Sequence, residues 1–131
     1  MSLAQGHRVF YGVKRTGTTL MDRILGADGT PVSQATFTAI AYTVTDLETH
    51  QRIGSGSLTI ALVIFDGLQN DALWAVAVPG DTTGYNFRWT VPANLLSGVG
   101  RRVQVDVKMT PTSGEIFWLG PYFLDLEEVH P

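Results

Sequence analysis

The sequence predicts an all-β protein, and three observations carry that expectation. Apolar residues recur at every second position over long stretches, the period of a strand with one buried face. Turn-forming clusters interrupt those stretches at residues 27–31, 54–56, 79–84, 97–100 and 110–114. Their Asp-Gly, Gly-Ser-Gly and Pro-Gly pairs are the residues that turns demand. Only one stretch, near 59–69, carries a helical spacing. Short strands separated by frequent turns predict two packed sheets, an immunoglobulin-like antiparallel β-sandwich of about seven strands. The 131 residues suit one such domain over 1–131, since a chain of that length buries roughly two-thirds of its unfolded surface. Antibody domains also carry a Cys…Trp…Cys pattern. No cysteine occurs here, so the architecture alone is implied.

The elements follow in order. Residues 1–7 and 127–131 lack a pattern and are expected to be flexible. Strands are expected near 8–14 and 18–25, then at 34–46, where Ile40, Tyr42 and Val44 alternate with Ala39, Ala41 and Thr43. Gly54-Ser55-Gly56 reads as a turn. In the next segment Ile60, Val63, Ile64 and Leu68 fit a helical spacing, with Ser57 or Thr59 as N-cap. One short helix near 59–69, closing an end of the sandwich, is favoured over a buried strand ending at Asp66-Gly67. A strand is expected at 73–78 and another at 85–91. Pro92 suits the first position of a single helical turn. The clearest strand is 101–110, where Val103, Val105, Val107 and Met109 face one way and Arg102, Gln104, Asp106 and Lys108 the other. A last strand is expected at 115–126.

In that pattern Tyr85, Phe87, Trp89 and Val91 share a face opposite Asn86, Arg88 and Thr90. Aromatic rows of this kind form either a core or the floor of a sugar site. Burying each ring contributes about 2–3 kcal/mol, which three exposed rings would forfeit, so the core reading is preferred. Trp74 and Tyr85, next to loops, are the better ligand candidates.

Composition narrows the function. Charged residues are 16% and the net charge is −3, with Lys14-Arg15 and Arg101-Arg102 the only basic pairs. Nucleic-acid binding is not expected, because phosphate contacts need a basic stripe. The absence of cysteine excludes disulfides and thiolate chemistry and agrees with cytoplasmic synthesis. The N-terminus has no apolar segment of signal-peptide type. Apolar runs such as Ile60–Phe65 are too short to span a bilayer, so no membrane insertion is expected.

Catalytic and metal constellations are not expected, and no cofactor is implied. His7, His50 and His130 are spread from end to end, whereas a zinc site of the familiar helical kind needs ligands four residues apart. Asp66, Asn70, Asp71 and Asp81 are the densest oxygen donors but lack the alternation of an EF-hand loop. They read instead as turn and capping residues. Asp106 with Glu115, on expected neighbouring strands, is the one carboxylate pair worth weighing for glycoside chemistry. The solvent-facing setting expected for both argues for solubility instead. No G-x-S-x-G elbow occurs, and Gly54, Gly56 and Gly114 make no phosphate loop.

The stretches "DGTPVSQATFTAIAYTVTDL", "VIFDGLQNDALW", "TGYNF", "VPANLL" and "VKMTPTSGEIFWL" resemble a group of small proteins encoded in phages and prophages, often among virion genes. The resemblance runs from about Asp22 to Leu126; the N-terminal "HRVFYGVKRTGTTL" departs from it. It implies an immunoglobulin-like sandwich with a role in a virion or its assembly, and no catalytic residues. The expected function is therefore a non-enzymatic structural or interaction protein that packs against protein partners or itself. Candidate contacts are Phe10, Tyr11 and Val13 in the first strand, and Trp118, Tyr122 and Phe123 in the last. The alternative is a carbohydrate- or surface-binding module, with a glycan held by Trp74, Asp71, Asp81, Tyr85 and Asn86.

Overall fold

Alternation along the chain becomes two facing sheets. The computed structural model describes the backbone of residues 3–5, 9–13, 17–26, 28–96 and 102–127, with side chains for 17–26, 28–96 and 102–126. Nine strands lie among these residues: β1 (Leu3–Gln5), β2 (Val9–Val13), β3 (Thr18–Leu25), β4 (Phe37–Asp46), β5 (Gln51–Leu58), β6 (Ile64–Gln69), β7 (Tyr85–Val91), β8 (Arg102–Pro111) and β9 (Phe117–Glu127). Three short helices, α1 (Ile60–Val63), α2 (Ala72–Ala77) and α3 (Ala93–Leu96), interrupt them. One sheet has the order β1-β3-β7-β6 and the other β2-β9-β8-β4-β5. Every pairing is antiparallel except β2 with β9. The leading segment is divided between the sheets, β1 joining one and β2 the other. This is the strand order of an immunoglobulin-like sandwich with an added strand, β5, beside β4.

The core fills the space between the sheets. Val103, Val105, Val107 and Met109 of β8 are all fully buried, as their alternation predicts. They meet Leu20 and Ile24 of β3, and Phe87 and Val91 of β7. The Phe87 and Tyr122 rings stack across this space, 6.4 Å apart and tilted by 10°. Antibody domains join their sheets with a disulfide. In this cysteine-free chain the sheets are tied by a buried hydrogen bond: the Tyr122 hydroxyl donates to Asp22 Oδ2 at 2.5 Å. Asp22 Oδ1 also accepts from the Arg23 backbone N–H.

Several elements differ from the expected ones, each for a physical reason. Residues 72–77 are helix α2, where a strand is expected at 73–78. Asp71 caps it, accepting from the Trp74 backbone N–H at 3.0 Å, and alanine at three of its six positions favours the helix. Residues 59–69 hold a single helical turn, α1, and then strand β6, because the backbone of Ile64 turns extended. Gly54-Ser55-Gly56 belongs to β5, not to a turn. Gly56 lies opposite Tyr42, and a Cβ there would come within 3.0–3.2 Å of that ring. The missing side chain lets Tyr42 lie over the strand and reach Trp89, ring to ring at 4.6 Å. Residues 3–5, expected to be flexible, pair with Arg23–Leu25 as β1. Residues 1–2, 6–7 and 128–131 of those expected ends lie outside the described residues, and the expected turn at 97–100 does too.

The aromatic row divides as well. Phe87 lies in the main core and Trp89 packs half-buried against it. Tyr85 instead joins a second cluster with Met21 and Trp74, on the other side of its sheet. The regular β3–β7 ladder ends at the Asp22–Phe87 pair. Beyond it the Asn86 side chain takes over, its Oδ1 accepting from the Ile24 N–H at 2.8 Å and its Nδ2 donating to the Ile24 carbonyl at 2.9 Å. Asn86, expected on the wet face, is fully buried as a result.

Candidate functional site

The residues around α2 form the most organised polar network among the described residues. It begins with Asp71, whose Oδ1 caps the helix and whose Oδ2 accepts from the Tyr85 hydroxyl at 2.6 Å. The turn that follows α2 is built on Asp81. Its carboxylate accepts from the backbone N–H groups of Thr83 and Gly84 at 2.8 and 3.0 Å, from Trp74 Nε1 at 3.2 Å and from Arg23 Nη1 at 3.0–3.1 Å. Gly84 is required there. Its φ is +104° and a Cβ would fall 2.3 Å from the Gln69 carbonyl oxygen. Beneath the helix, the Tyr85 ring meets Trp74 at 5.5 Å and Phe65 edge-on at 5.7 Å, while the Arg88 guanidinium lies 5.7 Å from the centre of Phe65.

These contacts set the ionisation of the network. The Gly84 N–H and the Trp74 indole hold Asp81 well below the usual carboxylate range, with Arg23 adding to them. The Tyr85 hydroxyl and the Trp74 N–H lower Asp71. Burial, then the bond to Asp71, raises Tyr85 above its ordinary value. Around neutral pH the network is therefore two carboxylates bound by donors and one neutral phenol, an arrangement that stiffens a turn. None of its members is a general base placed against a nucleophile.

The residues that the alternative reading offers to a glycan are occupied otherwise. Trp74 and Tyr85 are each 1% exposed and Asn86 is fully buried, so none offers a ring face or amide to a sugar. Asp71 and Asp81 sit together as expected, but their oxygens serve the α2 cap and its turn. Asp66 accepts from the Gln34 N–H, and Asn70 donates to the Thr82 carbonyl, which ties neighbouring turns. Glu115 lies in the turn before β9, not on a strand beside Asp106, and Asp106 accepts from Gln104 Nε2. Among the described residues no group of three or more His, Cys, Asp or Glu could hold a metal ion. No helix there is long and apolar enough to cross a membrane. His50 is exposed in the turn between β4 and β5; His7 and His130 lie outside the described residues.

The surface above the network is of another character. All six residues of α2, Ala-Leu-Trp-Ala-Val-Ala, are apolar. Only Trp74 is buried, while Ala72, Leu73, Ala75 and Val76 face solvent, Leu73 at 55% and Val76 at 80% exposure. A helix without polar side chains is ordinarily enclosed on all sides. On the far sheet Trp118 is 56% exposed and stands opposite Lys108, with Ile116 just before it. Of the expected contact residues, Trp118 is thus accessible and Phe123 is half-buried. Tyr122 is not a contact: it is fully buried, its hydroxyl on Asp22. Phe10, Tyr11 and Val13 lie on β2, paired with β9; their side chains are outside the described residues.

Leu73 and Val76 were not among the expected contacts. An apolar run assigned to a strand reads as core. The signal for the helix was Asp71, three residues before Trp74.

No protein-family model matches the chain, and no curated protein matches it. A solved structure of murine CRIg is similar over 99% of this chain and 99% of that one, with 7% sequence identity and a TM-score of 0.42. A likeness at that level transfers no function.

Proposed function

We propose that the chain is a non-enzymatic packing module, a virion or assembly accessory protein of a phage or prophage that works by burying part of its surface against other protein. The outward face of α2 carries this reading. Four apolar positions stand in water on a helix held by the Asp71 and Asp81 network. A polar network beneath an apolar surface makes sense when the surface must keep its shape before it is covered, because a rigid face loses little entropy on docking. Exposed Trp118 and Ile116 add a second apolar site on the other sheet. The virion setting is proposed from the sequence resemblance over Asp22–Leu126 alone, which implies a protein that assembles rather than catalyses.

The test is compositional. Virions and assembly intermediates purified from a phage or induced prophage that encodes the chain are expected to contain it, by mass spectrometry, in a fixed ratio to the major capsid or tail protein. The double variant Leu73→Asp/Val76→Asp is expected to fold and to be missing from the particles. Particles without the chain, or a variant that incorporates as well as wild type, would overturn the reading.

A further inference from the structure

Among the described residues each sheet ends in two strands paired on one side only, and the four edges are not equally guarded. β1 has three residues, and β6 pairs with β7 at only two positions on either side of a register break. β2 has five residues, in a stretch bounded by Arg8 and Lys14-Arg15. β5 is the longest at eight, Gln51-Arg52-Ile53-Gly54-Ser55-Gly56-Ser57-Leu58. Natural edges avoid pairing with other chains by shortness, lysine, proline or a bulge. β5 has no lysine and no proline, and its register shift falls beside Ile53, between the Gly54 and Arg52 pairings. From Gly54 to Leu58 the strand runs in regular register with β4 and carries no charge. A row of backbone N–H and C=O groups with nothing to repel a neighbour fits one kind of occupant, another extended strand.

We infer that the first such occupant is the β5 of a second copy, paired antiparallel about a two-fold axis near Gly56, so that two five-stranded sheets continue as one. The inference rests on the packing reading above and names its partner. Self-complementarity argues for a second copy. A two-fold contact sets each residue against its counterpart's neighbour, and an axis at Gly56 places Ser55 opposite Ser57 and Gly54 opposite Leu58. Those four side chains are small or apolar. The strand's single charge, Arg52, never meets itself in that register. Ser55 and Ser57 are exposed, whereas the inward sides of Gly54 and Gly56 are closed by Leu95 and the Tyr42 ring. Leu62, 76% exposed in the turn of helix that follows β5, then lies beyond the end of the paired segment, where the second copy's strand begins.

An edge pairing of this size is of the weak, transient class, with dissociation constants in roughly the micromolar-to-millimolar range. Sedimentation velocity up to about 1 mM therefore tests it, with two charged double variants. Ser55→Lys/Ser57→Lys and Ser55→Glu/Ser57→Glu each set like charges opposite one another. Both are expected to melt like wild type and to associate at least tenfold more weakly. An equimolar mixture of the two is expected to recover association, since opposite charges then face each other whatever the exact register. Hydrogen exchange should show protection at residues 54–58 that rises with wild-type concentration. Wild type that stays monomeric at every concentration overturns the pairing, and so does a lysine variant that associates like wild type. Association that survives the lysine variant but fails in Leu73→Asp/Val76→Asp overturns only the pairing, leaving the packing reading intact. Absence from particles overturns the packing reading itself.

Discussion

Tyr122→Phe removes one oxygen from the centre of the sandwich and little else. The phenyl ring keeps its place against Phe87, so no cavity larger than a hydroxyl forms. The loss falls on Asp22. Its Oδ2 accepts from Tyr122 at 2.5 Å in a fully buried setting, while its Oδ1 keeps the Arg23 N–H. Removing one donor from a buried carboxylate costs about 1–3 kcal/mol, and we take about 2 kcal/mol as the expected value. An unfolding entropy of about 2.1 cal/mol/K per residue over 131 residues comes to about 0.28 kcal/mol/K, so Tm should fall by about 7 °C. Calorimetry gives that shift directly. Urea unfolding should show a lower midpoint with an unchanged slope, because the folded state buries the same surface. Asp22→Asn in the same background completes a double-mutant cycle, with an expected coupling of about 1 kcal/mol or more. A Tyr122→Phe protein that melts within about 2 °C of wild type, or a coupling near zero, would refute the claim that this bond ties β3 to β9.

Other outcomes follow from the α2 network. Asp81 and Asp71 have folded pKa values below 3.8, so their contribution to stability is present above 3.8 and is lost as pH falls through the lowered values. The fluorescence of Trp74, in a Trp89→Phe/Trp118→Phe background, should hold steady from pH 7 to about 4 and change only below that; a transition centred near pH 5 would contradict the hydrogen-bonded carboxylates. Tyr85 works in the opposite direction: raised above 10.0, it stays a phenol past the pH at which ordinary tyrosines ionise, and the stability it contributes declines as pH rises through its own value. Ultraviolet titration of wild type against Tyr85→Phe checks this, and a difference spectrum centred at or below pH 10 would sink it. Gly84→Ala combines a φ of +104° with a Cβ placed 2.3 Å from a backbone oxygen, so it should lose about 1–3 kcal/mol or more; wild-type stability would show that the turn can relax.

The division between sequence and structure can be seen in particular elements. Strand β8 was fully legible: four apolar residues at period two must face one way, and all four are buried. The pairing that makes the fold immunoglobulin-like could only be inferred from strand spacing, because strand order is a long-range property. β5 was hidden by its glycines, which read as a turn until Tyr42, from the neighbouring strand, supplies the ring that covers Gly56. α2 was hidden because an apolar run of six suits a strand or a helix equally. Its state was decided by the Asp71 cap and by Trp74, which closes over Tyr85.

The candidate site divides in the same way. Sequence alone brought Asp71, Asp81, Trp74 and Tyr85 into one region, since all four flank one turn. It left a ligand open as the alternative to capping and packing, because an aromatic ring beside a carboxylate looks alike whether it binds sugar or supports a helix. Residue order along the chain determined which side chains alternate and where the chain can turn, both being local consequences of backbone geometry. Which rings are spent in packing, which apolar residues are left in water and which edge stays open depended on the meeting of strands far apart in sequence, and only the tertiary structure decides that.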